Sequence, residues 1–465
     1  MSISRRNLMI GAAGLGFGGL ALYWKMPHLF APDFSTQSTG YGPLLSDPDG
    51  ILDLPNGFSY RIIARIGEEM NDGLLTPGRP DGMAAFGTDN GRVALVCNHE
   101  NWTSQTDLGA FGENLERLTP DIRAKLYDAG LDGNQPQGGT TTKIYNPMTG
   151  EIEFQFLSLG GTTVNCAGGP TPRDSWLTCE EWFVNAGEEG SKSHGYVFEV
   201  PSAARTLVQA HPIKAMGKFF HEATATDPRT GIVYMTEDNT RNDMNSMFYR
   251  YLPNNPDVLL EGGRLQALAI KGHPTADTSN SGAGAAIAIG ARMDVEWIDL
   301  DGIDSDVYDL PARGHEQGAA IFYRGEGMWF GRDELYFSVT EGGPNGVGQI
   351  WRYIPSPHEG QTGETDMAGQ LELFAEPNDN SLMEKTDNLT ISPQGHVIFC
   401  EDGAGTDHIR GITPEGQIYT IAQNRLSSSE LAGVCFSPDG QTMFVNMQSD
   451  HITMAITGPW HALRS

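Results

Sequence analysis

A short apolar strand that ends in polar, mostly acidic residues occurs six times along this chain of 465 residues. The copies cover residues 93–100, 176–181, 233–238, 335–341, 397–402 and 443–448. Apolar runs of this length bounded by Gly, Pro, Asn and Asp are typical of β-strands. Only residues 115–129 have a clear helical pattern. The sequence therefore predicts an all-β protein.

The spacing of the copies favours a β-propeller. Repeats of roughly 40–50 residues with several strands each are typical of propeller blades, and the wider intervals here indicate insertions. Six copies predict a six-bladed propeller in one catalytic domain over residues 45–465, with loop and short helical insertions. Five or seven blades also fit the irregular spacing. A β-sandwich or a pair of barrels is the alternative fold.

A propeller would bring the acidic strand ends together. Equivalent strands of all blades run in the same direction along the central channel, so their ends meet at one opening. Carboxylates packed there repel one another unless cations lie between them, and oxygen-rich sites suit Ca²⁺. The candidates are Glu100, Glu180, Glu181, Glu222, Glu237, Asp238, Glu326, Glu341, Asp387, Asn388, Glu401 and Asp402. We expect metal binding by the set, while a solvated surface position is the alternative for each member alone.

Cys166 differs from the other candidates because a thiolate is a soft ligand. It lies in the segment Asn-Cys-Ala-Gly-Gly at residues 165–169, where small neighbours let the backbone approach a bound centre closely. Ca²⁺ does not recruit thiolates, so a ligand role for Cys166 predicts iron or another transition metal beside calcium. A small buried thiol is the structural alternative.

The other four cysteines are expected to pack in strand cores. Cys97, Cys179, Cys400 and Cys435 lie within apolar strand patterns. An odd total of five leaves at least one thiol without an intramolecular partner. We expect no disulfide between Cys166 and Cys179.

Four further residues are candidates for supporting or substrate-binding roles. His99 and His221 each precede a glutamate, and Asn388 follows Asp387. They are candidates to orient the carboxylates, and the histidines also to bind metal or donate protons, with a purely structural role as the alternative. Arg324 is the basic residue best suited to clamp a phosphate, because a guanidinium can bind it bidentately. An exposed surface arginine is the alternative.

The charge balance narrows the range of partners. Acidic residues outnumber basic residues by 59 to 30, which gives a formal net charge of −29. Such a surface repels nucleic acid and anionic lipid, so neither is an expected partner. An anionic substrate would need bound cations to offset this field.

Residues 1–30 have the composition of an export signal. Arg5 and Arg6 precede a Gly- and Ala-rich apolar run at residues 10–22. This run is shorter than the roughly 20 residues needed to span a bilayer. Paired arginines are typical of twin-arginine export, so we expect a periplasmic or extracellular protein with no stable membrane partner beyond the export machinery. A short membrane anchor is the alternative.

Together these motifs resemble one enzyme family over most of the chain after residue 45. The chain resembles the PhoX-type alkaline phosphatases in its leader and, most specifically, in residues 165–169 leading to Leu-Thr-Cys-Glu-Glu at 177–181. The other similar segments are residues 98–100, 221–223, 324–326, 387–389 and 432–440. The resemblance implies a monomeric propeller that hydrolyses phosphate monoesters with two ferric ions and two or three calcium ions.

The resemblance also implies roles for individual residues. Carried over by motif, Cys166 would bridge the iron pair, Glu222 and Glu326 would bind iron, and Arg324 would contact the phosphate of a small substrate. Calcium-binding or supporting positions are implied for Glu100, Glu180, Glu181, Asp387 and Glu401. The implied reaction is attack on phosphorus by a metal-activated water or oxo group in the central channel.

Two other functions fit the same fold. A calcium-dependent propeller hydrolase of lactones or aryl esters would also use Asn and Glu around channel calcium, but it would leave Cys166 and Arg324 without a role. A non-catalytic propeller that binds a partner would use metals only to brace the channel. Metal content and activity toward phosphate esters and lactones would separate the three hypotheses.

Overall fold

The structure, a computed structural model, describes residues 40–131, 133–239, 246–282 and 286–463. The export signal expected at residues 1–30 lies outside the described residues. No helix in the described ranges combines the length and apolar content needed to cross a bilayer.

Strands dominate the described chain, as the alternation of short apolar runs and turn residues predicts. In chain order they are β1 (Leu44–Leu45), β2 (Leu52–Pro55), β3 (Ser59–Arg65), β4 (Pro80–Gly87), β5 (Val93–His99), β6 (Gly138–Asn146), β7 (Glu151–Thr162), β8 (Asn165–Pro170), β9 (Ser175–Glu180), β10 (Val197–Pro201), β11 (His221–Thr226), β12 (Val233–Glu237), β13 (Phe248–Pro253), β14 (Gly263–Ile270), β15 (Arg292–Asp299), β16 (Gly325–Phe330), β17 (Leu335–Val339), β18 (Gln349–Ile354), β19 (Gln370–Ala375), β20 (Thr386–Ile391), β21 (Val397–Glu401), β22 (His408–Ile412), β23 (Ile418–Asn424), β24 (Leu431–Phe436), β25 (Thr442–Met447) and β26 (Ile452–Thr457).

These strands form six antiparallel meanders. In chain order the meanders are β4 to β7, β8 to β10, β11 to β14, β16 to β19, β20 to β23, and β24 to β26 with β3 as the outermost strand. β15 pairs with both β14 and β19, so the third and fourth meanders share one nine-stranded sheet. Each copy of the sequence repeat forms the second strand of its meander.

The innermost strands of the meanders form a closed circle. Each of β4, β8, β11, β16, β20 and β24 contacts the next, and β24 contacts β4. This arrangement confirms the predicted propeller, with the innermost strands around the channel. β3 closes the circle by pairing along residues 452–457 of β26, and β1 and β2 extend the fifth meander beyond β23.

The hydrophobic core is divided among the interfaces between neighbouring meanders. One apolar cluster lies at each of the six interfaces within the described residues. Between the third and fourth meanders, the rings of Phe248 and Phe337 lie 4.5 Å apart beside the buried Tyr353. Each fully buried side chain of this size contributes about 1.5–3 kcal/mol. The meanders are therefore held in fixed positions around the channel.

The helix predicted for residues 115–129 is mostly wrong. Only α1 (Pro120–Arg123) forms there, capped by Thr119, and Leu115 has a positive φ of 58° that no α-helix accommodates. The backbone N–H groups of Tyr127 and Asp128 donate instead to the carbonyls of residues 160 and 161 beside β7. The second helix of the described chain, α2 (Leu310–Glu316), is a short insertion before β16.

Candidate functional site

The second residue of five of the six innermost strands bears a side chain that can bind metal. These residues are Asp81 in β4, Cys166 in β8, Glu222 in β11, Glu326 in β16 and Asp387 in β20, and Ala432 takes the same place in β24. A register shift follows the first paired residue in five of these strands and the second paired residue, Ala432, in β24. Such bulges redirect side chains next to functional sites. The fold thus repeats one potential ligand position around the channel.

A residue with left-handed backbone precedes four of these innermost strands. Arg79, Val164, Arg324 and Lys385 have φ values of 44°, 48°, 57° and 52°. A positive φ is uncommon for residues other than glycine and costs energy, which the surrounding structure must offset. At two of the four positions the turn carries an arginine side chain into the pocket described next.

A cavity of about 190 Å³ lies where these innermost strands begin. Residues that follow the second strands of the meanders complete its wall. The lining residues are Arg79, Asp81, Glu100, Cys166, Glu181, Asp238, Arg324, Glu326, Asp387, Asp402, Glu430 and Gln448. Eight of these side chains are carboxylates, and two are guanidiniums. The expected convergence of scattered acidic residues on one opening therefore occurs.

Two groups of potential metal ligands share one carboxylate. Cys166, Glu181 and Glu222 offer ligand atoms within 4.8 Å of one another, and so do Glu222, Glu326 and Asp387. Glu222 belongs to both groups, so two ions bound there would be neighbours. The structure thus brings together the three residues that the resemblance implied for iron, Cys166, Glu222 and Glu326.

Glu222 has the environment of a metal ligand rather than of a structural carboxylate. Its side chain is fully buried, and neither carboxylate oxygen has a hydrogen-bond partner in the described part of the chain. Burial, together with the carboxylates of Glu326 and Glu181, raises the pKa of Glu222 well above its usual range. A buried carboxylate without a partner is costly, and a bound cation removes that cost.

Cys166 is placed to act as the soft ligand of the same group. All five cysteines are free and buried, so the expected absence of a Cys166–Cys179 disulfide is confirmed. Burial and the Asp81 and Glu222 carboxylates raise the pKa of the Cys166 thiol well above its usual range. Asn98 Nδ2 donates to the backbone carbonyls of Cys166 and Ala167, at 3.0 and 2.7 Å, and fixes the bulge that carries the thiol.

A third group of potential ligands lies on the side of the pocket formed by the first and sixth meanders. Asp81, Glu100 and Glu430 offer carboxylate oxygens within 4.8 Å of one another. Asp81 Oδ1 is buried and has no hydrogen-bond partner among the described residues, while Gln448 Nε2 donates to Asp81 Oδ2 and Glu100 Oε2. This all-oxygen group suits a hard cation such as Ca²⁺.

Arg324 is held rigidly beside these carboxylates. Its Nε and Nη2 donate to the carboxylate of Asp238, with the shorter Nη2–Oδ2 distance at 2.6 Å, and Nη2 also lies 3.3 Å from Glu326 Oε1. Although burial lowers the pKa of Arg324, the Glu326 and Asp238 carboxylates raise it above the ordinary arginine value. A permanently charged, oriented guanidinium therefore faces the pocket, where it can bind an anion.

Asn388 supports the site as expected. Its Nδ2 donates to Asp387 Oδ1 at 2.9 Å, and its Oδ1 accepts from the backbone N–H of Gly433 at 3.0 Å. It thus links the carboxylate of the fifth meander to the bulge of the sixth.

Four of the candidate carboxylates belong neither to the cavity wall nor to a ligand group, and one of them, Glu341, forms an ion pair with Lys385 Nζ at 3.0 Å. Glu180 accepts hydrogen bonds from His194 and from the backbone of the loop before β10. Glu237 accepts from Tyr249 and Tyr308, and Glu401 accepts from His408 and Arg410. Glu180, Glu237 and Glu401 brace neighbouring backbone and side chains, and together with Glu341 they are removed from the ligand set.

Neither candidate histidine lines the pocket. His99 is buried between the carbonyl of Gly78 and Thr141 Oγ1, each 2.9 Å away, and burial lowers its pKa to about 3. His221 donates from Nε2 to the carbonyl of Gly217, and its ring stacks on Phe219 with centroids 3.6 Å apart. Both hold the backbone next to the neighbouring glutamates, which is a structural role.

Sequence reasoning missed four of the lining residues, Arg79, Asp81, Glu430 and Gln448. A signal for two of them is present, because Arg-Pro-Asp-Gly at residues 79–82 has the same pattern as Arg-Gly-Glu-Gly at residues 324–327. Both segments open an innermost strand. Comparing the two segments would have identified Arg79 and Asp81.

Comparisons with known proteins agree with this geometry. The family model described as alkaline phosphatase PhoX matches residues 39–450. The solved structure of Pseudomonas fluorescens PhoX in complex with vanadate, a transition state analogue, is similar with a TM-score of 0.63 at 18% identity, covering 90% of this chain and 98% of that chain. A gluconolactonase from Xanthomonas campestris gives a TM-score of 0.41 at 13% identity, covering 90% of this chain and 98% of that chain. No curated protein sequence matches significantly.

The family match extends over nearly the whole described propeller and includes all the residues that line the pocket. The chain belongs to the PhoX alkaline phosphatase family and is a metal-dependent phosphoester hydrolase of the propeller class.

Proposed function

We propose that the pocket hydrolyses phosphate monoesters with two ferric ions and two or three calcium ions. The observation that carries this proposal is the position of Glu222, a buried carboxylate without a hydrogen-bond partner that is shared by two ligand groups. One of those groups contains the only thiol of the pocket lining, Cys166, and the other lies beside Arg324.

The donor atoms suggest how the metals are distributed. Cys166, Glu181, Glu222 and Glu326 would hold the iron pair, since iron binds both thiolates and carboxylates whereas Ca²⁺ does not recruit a thiolate. The oxygen-only group of Asp81, Glu100 and Glu430 would hold calcium. Asp387 and Asp402 line the same cavity and would hold a further calcium ion. The bound metals would neutralise the phosphate oxygens and lower the pKa of an attacking water.

The chain's own contribution is to orient the substrate phosphate. Arg324 is fixed by Asp238 through Nε and Nη2, which leaves Nη1 of the guanidinium available to a phosphate oxygen. A donor preorganised in this way stabilises charge on the equatorial oxygens in the transition state without reorganising during the reaction. The small cavity, about 190 Å³, suits a phosphate group better than a large leaving group, which would extend toward solvent.

The same proposal covers partners and location. The net charge of −29 argues against nucleic acid and anionic membranes as partners, so a small phosphorylated substrate and a monomeric enzyme are proposed. The paired arginines at residues 5 and 6 support twin-arginine export of the metal-loaded protein to the periplasm or beyond, with residues 1–30 as the signal and residues 45–465 as one catalytic domain.

Activity and elemental analysis of the purified protein, produced by its own export route, test this function. We expect hydrolysis of p-nitrophenyl phosphate that is lost on treatment with EDTA and restored by metals, with iron and calcium both bound. Calcium without iron, combined with turnover of a lactone or an aryl ester, would identify a propeller lactonase instead. A metal-loaded protein inert toward all these substrates would identify a binding propeller.

A further inference from the structure

Two arginines enter the pocket by the same structural device. Arg79 and Arg324 each stand directly before an innermost strand, each has a left-handed backbone with φ of 44° and 57°, and each is followed after one residue by an acid and a glycine. The acids, Asp81 and Glu326, belong to different groups of potential metal ligands. The site therefore contains two copies of one arginine-and-carboxylate unit, although only Arg324 was expected to bind phosphate.

The two units face each other across the channel. Around the closed circle of innermost strands, β8 and β11 separate β4 from β16 on one side, and β20 and β24 separate them on the other. Arg79 and Arg324 therefore enter from opposite meanders of the propeller, yet both line the same cavity. One anion bound at the first unit leaves the second unit free for another anionic group.

The guanidiniums are also presented in the same way. Arg79 donates from Nε to the backbone carbonyl of Glu100 at 2.9 Å and from Nη2 to the Glu100 carboxylate, while Arg324 uses its Nε and Nη2 for Asp238. In both arginines Nη1 has no hydrogen-bond partner among the described residues. The two side chains are 19% and 24% exposed, so each presents one free edge of a fixed guanidinium.

The surroundings of Arg79 indicate that it can bind an anion and that its role is not purely structural. It is one of only two cationic side chains among the twelve that line the cavity, and the other is Arg324. Asp81 Oδ1 is buried and without a partner in the described chain, which indicates a cation bound to the group of Asp81, Glu100 and Glu430, and such a cation would offset the negative charge around Arg79. The guanidinium of Arg79 also lies over the ring of Trp102, 4.9 Å from its centroid, which fixes its plane.

We infer that Arg79 forms a second anion subsite, and that the preferred substrates are phosphate monoesters whose leaving group carries another anionic group, such as a second phosphate or a carboxylate. This inference rests on the proposed function, in which Arg324 binds the phosphate that is hydrolysed. A charge-assisted hydrogen bond to the second group would strengthen binding and would hold the leaving group in one orientation.

Kinetics on paired substrates test the subsite. The monophosphates of α,ω-alkanediols of increasing chain length are compared with the corresponding bisphosphates, at constant free-metal concentration and with a correction for the two equivalent phosphates. At the chain length that spans the two arginines, we expect kcat/KM to be about tenfold or more higher for the bisphosphate, which corresponds to one charge-assisted hydrogen bond. In Arg79→Ala this ratio should fall to near one, while in Arg324→Ala the second subsite remains and both substrates should slow.

Inhibition supplies a readout that does not depend on turnover. Alkane bisphosphonates should inhibit the wild-type protein more strongly than monophosphonates of the same length, and Arg79→Ala should remove the difference. Arg79→Lys retains the charge and should retain part of the preference, and thermal unfolding of each variant shows whether it folds.

Monophosphate hydrolysis without any bisphosphate preference at any length would overturn the subsite while leaving the phosphatase proposal intact. A preference that survives in a folded Arg79→Ala protein would also overturn it, whereas absence of all phosphatase activity in the wild type would contradict the proposed function itself.

Discussion

Arg324 donates two hydrogen bonds to the carboxylate of Asp238, which comes from the neighbouring third meander rather than from its own fourth meander. The positive φ of Arg324 directs its side chain toward the channel, and the ion pair with Asp238 fixes the position of the guanidinium. The edge of the guanidinium that faces the pocket is therefore positioned by two blades together, so its geometry depends on the assembled propeller.

Replacing Arg324 by lysine should lower kcat/KM for p-nitrophenyl phosphate by about 100- to 1,000-fold, the range found when one preorganised transition-state donor is removed. Lysine keeps the charge but lacks the planar fork that binds Asp238 through two nitrogens and presents a third to the pocket. Arg352→Lys is the matched control, because Arg352 lies in the same meander and pairs with Glu372 outside the pocket. Steady-state kinetics should show the control close to wild type. Equal losses in both variants would mean that Arg324 only stabilises the blade.

Cys166→Ser should lose bound iron and activity together, whereas Cys179→Ser should keep both. The two thiols belong to the second meander and are both buried, but only Cys166 belongs to a ligand group with Glu181 and Glu222. The loss of activity in Cys166→Ser should exceed the roughly 10- to 100-fold loss that is typical when a residue that only supports a metal site is replaced. Elemental analysis with kinetics on both variants checks this, and full iron content in Cys166→Ser would remove the thiol from the site.

The paired acids at the strand ends explain which part of the site could be predicted from sequence. Convergence of the second strands on one opening follows from propeller geometry and was expected. Successive side chains in a strand point in opposite directions, so Glu180 braces a loop while Glu181 lines the pocket. The same division separates Glu237 from Asp238 and Glu401 from Asp402. A run of two acids does not show which one faces inward.

The innermost strands were harder to recognise. Residues 165–170 are small and include two glycines and a proline, and a bulge after Asn165 interrupts the alternation by which strands are identified. The potential ligand Asp81 stands at the second position of such a strand and was not expected at all. Cys166, Glu222, Glu326 and Asp387 were candidates from the sequence, and the resemblance added the expected iron roles of the first three. Their shared position at the second residue of an innermost strand became visible only in three dimensions.

Glu222→Gln should have opposite effects on stability with and without metals. In metal-free protein at pH 8, the variant should raise the free energy of unfolding by about 1–2 kcal/mol, because a buried carboxylate that faces Glu326 and Glu181 is removed. In metal-loaded protein the variant should be less stable than wild type, since a ligand is lost. Thermal unfolding in EDTA and in added iron and calcium measures both effects.

Glu372→Gln is the control for this comparison. Glu372 is also a buried carboxylate, but it pairs with Arg292 and Arg352 on the outer strand of the fourth meander. Its replacement should destabilise the protein by a similar amount with and without metals. If Glu222→Gln behaves in the same way, Glu222 does not bind metal.

His194 should make the stability of the protein fall between pH 6.5 and about 9. Its ring lies between two fully buried carboxylates, with Nδ1 at 2.6 Å from Glu180 and Nε2 at 3.4 Å from Asp128. Burial alone would lower the pKa of His194, but these two acids raise it from 6.5 to about 9. A histidine whose folded pKa is raised contributes stability that is complete below its unfolded pKa and is lost as the pH rises through the folded pKa. The shift corresponds to roughly 3 kcal/mol.

The difference in unfolding free energy between wild type and His194→Gln, measured in urea at constant metal concentration, should therefore shrink between pH 6.5 and about 9. His99→Gln should show no such slope, because His99 is neutral throughout, with a pKa of about 3. A difference for His194→Gln that is the same at pH 6 and pH 10 would mean that the ring is neutral in the folded protein and that the buried acids are stabilised by other groups.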